Sequence, residues 1–106
     1  MTYIFDIDGT ICNTNGSDYD NSTPMYDRID FINKLYAEGN IIIFQTARGM
    51  GRTKNNQIEA IEIFYEYTRK QLDSWNVKYH NLFLGKPAGD YYVDDKGTNA
   101  DIFFKN

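Results

Sequence analysis

Cysteine is nearly absent from this chain, and the single residue, Cys12, excludes any intrachain disulfide and fits a reducing cytoplasm. Long apolar runs are missing too, and none approaches the ~18 residues a membrane span needs. The start, MTYIFDIDGT, lacks the charged first stretch and apolar core of a signal peptide, so a cytoplasmic domain with no membrane partner is expected. Positive charge is in deficit, with 11 Lys and Arg against 15 Asp and Glu and a net charge of -4. That balance argues against nonspecific nucleic-acid binding, and no nucleic-acid partner is expected. Repeats, low-complexity tracts and linkers are also lacking. What remains is material for one core: 106 residues, 42% hydrophobic and 16% aromatic, read as a single domain over 1–106.

Tyr3–Ile7 is a short run of strand formers stopped by the turn signal Asp8-Gly9. Asn13–Thr23 is polar and aperiodic, a loop. Thr23 as cap and Pro24 at the first helical position predict a helix start, Ile29, Ile32, Leu35 and Tyr36 keep helical spacing, and Gly39 ends it. Ile41–Phe44 reads as a strand buried on both faces. Thr46–Asn56 is a basic, glycine-containing loop. Ile58, Ile61, Tyr65, Thr68, Leu72 and Trp75 then predict an amphipathic helix from Gln57 to about Trp75. Asn81–Leu84 and Tyr91–Val93 look like further strands, with Ile102–Phe104 a last candidate. Alternation of this kind predicts an α/β domain, a parallel sheet flanked by helices.

Open parallel sheets bind ligands beyond the carboxyl ends of their strands, and four elements of this chain fall there. Asp6 and Asp8 lie two residues apart at a strand end, where side-chain alternation lets both face one side. Two anions so placed need a shared cation or proton, and Gly9 permits the sharp turn beside them. Thr46, followed by Ala47 and Arg48, offers a hydroxyl and amides suited to a phosphate oxygen. Lys86, after the next strand, is placed to neutralise a carboxylate and phosphoryl oxygens together. Asp94-Asp95 close the series, and an oxygen-rich carboxylate set is what magnesium prefers. Each element alone has an ordinary reading, as an acidic turn, a strand terminator or a solvated lysine. His80 reads as structural, and the basic loop Arg48–Lys54 as either a lid touching a second anionic group or a solvated turn.

Together and in this order, the four elements resemble the haloacid dehalogenase superfamily of phosphatases, across nearly the whole chain from Asp6 to Asp95. That pattern is an Asp-x-Asp-x-Thr/Val cluster, a Thr or Ser, a Lys or Arg, and an acidic pair. Here it is met by Asp6, Asp8 and Thr10, then Thr46, Lys86 and Asp94-Asp95. Gly85-Lys86-Pro87 with Tyr91–Lys96 looks most like short members linked to capsular polysaccharide biosynthesis.

The resemblance implies a Rossmann-like fold and magnesium-dependent hydrolysis of a small phosphate monoester, with a sugar phosphate among the candidates. Asp6 would be the nucleophile and Asp8 the general acid and base. Thr46, Ala47, Arg48 and Lys86 would hold the phosphate. Magnesium would rest on the Asp6 carboxylate, the Asp8 backbone carbonyl and Asp94, with Asp95 a water-mediated ligand or an orienting group. Neither place where such proteins insert a cap domain has room for one, so the site is expected open, or closed by a second copy in a homo-oligomer. The competing readings are a receiver-like phosphoacceptor domain, whose elements run in another order, an inactive phosphate-binding member, and a phosphotransferase.

Overall fold

Three consecutive isoleucines and a phenylalanine give the chain its central strand. In the computed structural model, which describes residues 1–105, β4 (Ile41–Thr46) lies between two parallel neighbours. β1 (Thr2–Phe5) pairs with it in the register Thr2 to Ile41 and Phe5 to Phe44, and β5 (Asn81–Leu84) in the register Ile43 to Asn81 and Thr46 to Leu84. The fold is thus α/β, a three-stranded parallel sheet in the order β1-β4-β5 with helices as crossovers. The short ribbon of β2 (Cys12–Asn13) and β3 (Thr23–Pro24) stands apart from it. No helix among the described residues is long and apolar enough to cross a membrane.

α1 (Tyr26–Ala37) and α2 (Gln57–Ser74) cover the same face of this sheet. Ile29 and Ile32 from α1 and Leu72 from α2 share one core cluster with Phe5, Ile42, Phe44, Leu82 and Leu84. Right-handed crossovers that step steadily across a sheet place their helices on one side. The opposite face stays open: Ile4 is 58% exposed, Ile41 45% and Phe83 57%. The expectation of a central strand buried on both faces is therefore corrected. β4 alternates between the packed face and the open one.

Four further expectations differ from the structure. Thr23 and Pro24 belong to β3, held opposite Cys12 and Asn13, and Met25 donates to the Ile11 carbonyl at 2.8 Å. Those pairings keep the chain extended, so α1 begins only at Tyr26. On α2 the covered stripe is Ala60, Thr68 and Leu72, while Ile58 and Ile61 are exposed. Tyr91–Val93 forms no strand: the Tyr92 hydroxyl turns back to donate to the Pro87 carbonyl at 2.6 Å, and Tyr91 and Val93 face solvent. Ile102–Phe104 lies within a short helix, α3 (Ala100–Lys105), not a strand. Asn99 starts it, its side chain accepting from the Asp101 amide at 2.9 Å. The helix turns Phe103 and Phe104 onto Phe5 and Phe31.

Candidate active site

β1 ends at Phe5, so Asp6 is the first residue past the sheet. Ile7 is completely buried and anchors the following turn, its carbonyl accepting from Thr10 and Ile11 at 3.0 and 2.9 Å. Gly9, at φ 80°, supplies the left-handed step that this turn requires. Asp6 and Asp8 emerge on either side of the buried isoleucine.

From the neighbouring strands come Thr46, the last residue of β4, and Lys86, two residues beyond β5. The Thr46 carbonyl accepts from the Lys86 amide at 3.2 Å, tying the two strand ends together. Lys86 Nζ lies 3.9 Å from Asp6 Oδ1 and 4.4 Å from the centroid of the Tyr92 ring. Lys86 thus meets Asp6 through its side chain and Thr46 through its backbone. Burial raises the Asp6 carboxyl above the ordinary aspartate range, and the positive charge of Lys86 works against that rise.

Arg48 has a different place from the one expected. The resemblance implies a phosphate ligand, yet its side chain is 0% exposed and its guanidinium is committed inward. Nε and Nη2 each donate to one oxygen of Asp8 at 2.9 Å, and Nη1 donates to Thr68 Oγ1 at 3.5 Å. The Tyr19 ring lies 4.5 Å away. A buried guanidinium keeps its charge only when paired, and Asp8 is the carboxylate within reach. Arg48 therefore holds Asp8 rather than substrate. The Arg48 amide, in turn, donates to Thr46 Oγ1 at 3.1 Å.

Asp8 also accepts from Thr14 Oγ1 at 2.6 Å. Burial alone would raise its carboxyl, but the bonds from Arg48 and Thr14 outweigh that and hold it below the usual range. Cys12 packs against it, and burial pushes the thiol up, so this cysteine is a poor nucleophile. Thr14 and Tyr19 escaped the sequence reading because they lie in an aperiodic loop. Thr68 falls on the periodic face of α2 and reads from the sequence as one more packed position. A lone hydroxyl on such a stripe was the one signal that a buried polar partner existed.

Asp94 and Asp95 do not join the site. Both are exposed in a stretch without regular structure, and Asp94 accepts from the Lys96 amide at 3.0 Å. Among the described residues no group of three or more His, Cys, Asp or Glu is placed to hold a metal ion. The Asp8 carboxylate is paired with Arg48 and Thr14, and Asp94 and Asp95 lie away from Asp6 in the exposed stretch. The magnesium set read from Asp6, Asp8, Asp94 and Asp95 is therefore not assembled in this arrangement. The acids after Val93 were expected at a strand end, and that strand does not form.

The basic loop is folded rather than splayed. Met50 is buried, Thr53 Oγ1 donates to the Gly49 carbonyl at 2.8 Å, and Arg52 lies 6.0 Å from the Phe64 ring. His80 is structural, its Nδ1 accepting from the Ile42 amide at 3.1 Å. Two depressions flank the loop between β2 and β3. One, of about 490 Å³, is lined by Gly9, Asn13, Thr14, Asn15, Asn21 and Thr23. The other, of about 410 Å³, is lined by Ser17, Tyr19, Gly49, Gly51, Arg52 and Phe64.

No protein-family model matches the chain, and no curated protein matches it. Among solved structures, the crystal structure of an MCSG target from Vibrio cholerae is similar to it. The TM-score is 0.88 at 30% sequence identity, covering 99% of this chain and 88% of that one. That description names no activity, so the likeness bears on fold and kinship rather than chemistry. At this identity and coverage, the chain belongs to the same family as the Vibrio cholerae protein.

Proposed function

We propose that this protein is a haloacid dehalogenase-type phosphatase of Rossmann-like fold, acting in the cytoplasm on a small organic phosphate monoester. The observation that carries the reading is the meeting of Asp6, Thr46 and Lys86 at the carboxyl ends of three parallel strands, with Asp8 one turn away. In the first half-reaction an Asp6 oxygen bonds to phosphorus while the ester P–O bond breaks, and the leaving oxygen takes a proton from Asp8. In the second, water attacks the aspartyl phosphate, gives a proton to Asp8, and releases Asp6 and inorganic phosphate. Lys86 offsets the repulsion between the Asp6 carboxylate and the phosphate dianion.

Arg48 keeps Asp8 charged at rest, the form that accepts a proton in the second half. An incoming dianion raises the Asp8 pKa by like-charge repulsion, which favours the protonated form needed in the first. Dependence on magnesium is what the sequence resemblance implies.

The test is phosphate release from para-nitrophenyl phosphate, with and without a chelator, by the native protein and Asp6→Asn. Release by the native chain and loss of it in a folded Asp6→Asn variant are expected. Equal rates in both would remove Asp6 as nucleophile. The commitment of Asp8 to Arg48 favours a second reading, a phosphoacceptor that does not turn over. Its mark would be a long-lived phosphorylated Asp6, read by intact-protein mass, with no multiple turnover.

A further inference from the structure

The two oxygens of Asp8 have unequal surroundings. Arg48 meets them alike, Nη2 donating to Oδ1 and Nε to Oδ2, each at 2.9 Å. Oδ1 accepts a second bond, from Thr14 Oγ1 at 2.6 Å, and the Cys12 sulfur lies 3.6 Å from it. Among the described residues, Oδ2 has no donor besides Arg48. A carboxylate oxygen accepts about two hydrogen bonds. Oδ1 is therefore filled by its neighbours, and Oδ2 keeps a lone pair free.

The ribbon builds this asymmetry. The Gly9 amide donates to the Cys12 carbonyl at 2.9 Å, which fastens β2 to the Asp8 turn. Side chains alternate along an extended chain, so Cys12 and Thr14 face one side while Asn13 between them is exposed. Asn13 lies opposite Thr23 in the register, and the next pair along the ribbon is Thr14 and Ser22, whose hydroxyl oxygens are 2.7 Å apart. A threonine hydroxyl has a single hydrogen to give. Thr14 gives it to Asp8, so Thr14 accepts from Ser22, and Ser22 thereby points the Thr14 hydrogen at Oδ1.

From this geometry we infer that Thr14 is a positioning residue that makes Oδ2 the proton-carrying oxygen of Asp8. The inference rests on the phosphatase reading above and adds which atom of the acid reacts and which side chain selects it. A proton arriving on Oδ1 would have to displace Thr14 or Arg48, whereas Oδ2 takes one without breaking either bond. In the first half-reaction the hydrogen on Oδ2 passes to the leaving oxygen, which keeps the electron pair of the broken P–O bond. In the second, a hydrogen of the attacking water returns to Oδ2 as the water oxygen displaces Asp6 from phosphorus. Without Thr14, Arg48 alone holds the two oxygens equivalently, and the proton divides between a productive and an unproductive position.

The experiment compares two esters of similar size by kcat/KM, which measures the barrier from free enzyme and substrate to the first transition state. Benzyl phosphate needs a proton on its departing alkoxide, and para-nitrophenyl phosphate releases a stable phenolate without one. In Thr14→Val the ratio of kcat/KM for the benzyl ester to that for the nitrophenyl ester should fall about tenfold. Thr14→Ser keeps the hydroxyl and should keep the native ratio. Damage to the fold or to phosphate binding lowers both esters together and leaves the ratio in place. Should Thr14→Val fail to fold, judged by circular dichroism, Ser22→Ala takes its place, and its ratio should fall in the same direction. A native ratio in the folded variant, or a ratio in Thr14→Ser as low as in Thr14→Val, overturns the inference and leaves the phosphatase reading standing. A native protein inert on both esters removes the phosphatase reading, and the role of Thr14 with it.

Discussion

Asp6 and Asp8 are two residues apart and of the same chemical type, yet their surroundings push them in opposite directions. Burial raises Asp6, and Lys86 only partly opposes it. In the proposed reaction Asp6 attacks as the carboxylate, so phosphate release should fall as pH drops through a value above the ordinary ~3.9 of aspartate. Lys86→Met removes the opposing charge, so the acid limb of the kcat/KM profile should move to higher pH. An unmoved limb would show that another group titrates there.

For Asp8, burial is outweighed by Arg48 and Thr14, and the carboxyl is held low. Its contribution to stability is complete above the unfolded value of ~3.9 and is lost as pH falls through the lower folded one. Arg48→Met leaves Asp8 without its cation in a site where only 27% of its side chain is exposed. The cost should be about 3 kcal/mol in urea unfolding, and adding Asp8→Asn should recover part of it.

Among the elements, α2 organises the site without supplying a reacting group. Asn56 caps it, accepting from the Glu59 amide at 3.1 Å, and Thr68 on its covered face meets Arg48. Gln71 Nε2 donates to the Tyr19 carbonyl at 2.7 Å, and Tyr67 donates to Asp20. The ribbon loop is thereby tethered to the helix, and with it the Tyr19 ring beside Arg48. Gly49 is where the basic loop meets the same helix. Its φ is 81°, and a Cβ there would come 2.6 Å from Phe64 Cδ2. Gly49→Ala is expected to lower stability by roughly 1–3 kcal/mol, from strain and overpacking together. A thermal midpoint equal to the native one would mean that the loop adapts freely and is not locked against α2.

At the scale of the whole molecule, the sheet is covered on one side. Parallel sheets usually bury both faces, and here Ile4, Ile41 and Phe83 meet solvent. Residues adjacent in chemistry should therefore differ sharply in cost. Ile42, with 0% exposure, and Ile4, with 58%, are both strand isoleucines. Ile42→Thr should cost about 2–4 kcal/mol and Ile4→Thr under about 1, read from paired urea titrations. Similar costs would show that the open face is covered in solution.

The sequence alone determined what local chemistry determines. Short runs of apolar strand formers marked β1, β4 and β5, and apolar spacing marked α1 and α2, because burial of one face imposes a period readable over a few residues. The acidic turn after β1, the threonine ending β4 and the lysine after β5 were legible for a related reason. In a parallel sheet each strand delivers its last residues to the same end. Tertiary structure decided what depends on partners distant in sequence. Arg48 became a clamp on Asp8 because Thr68 and Tyr19 close around it, which no pattern near residue 48 records. The ribbon pairing delayed α1, and a side-chain cap on Asn99 made a helix of residues read as a strand. Asp94 and Asp95 stayed outside the site because the segment before them paired with neither edge strand of the sheet, β1 or β5. Strand formation requires a neighbour, and a neighbour is a property of the fold rather than of the segment.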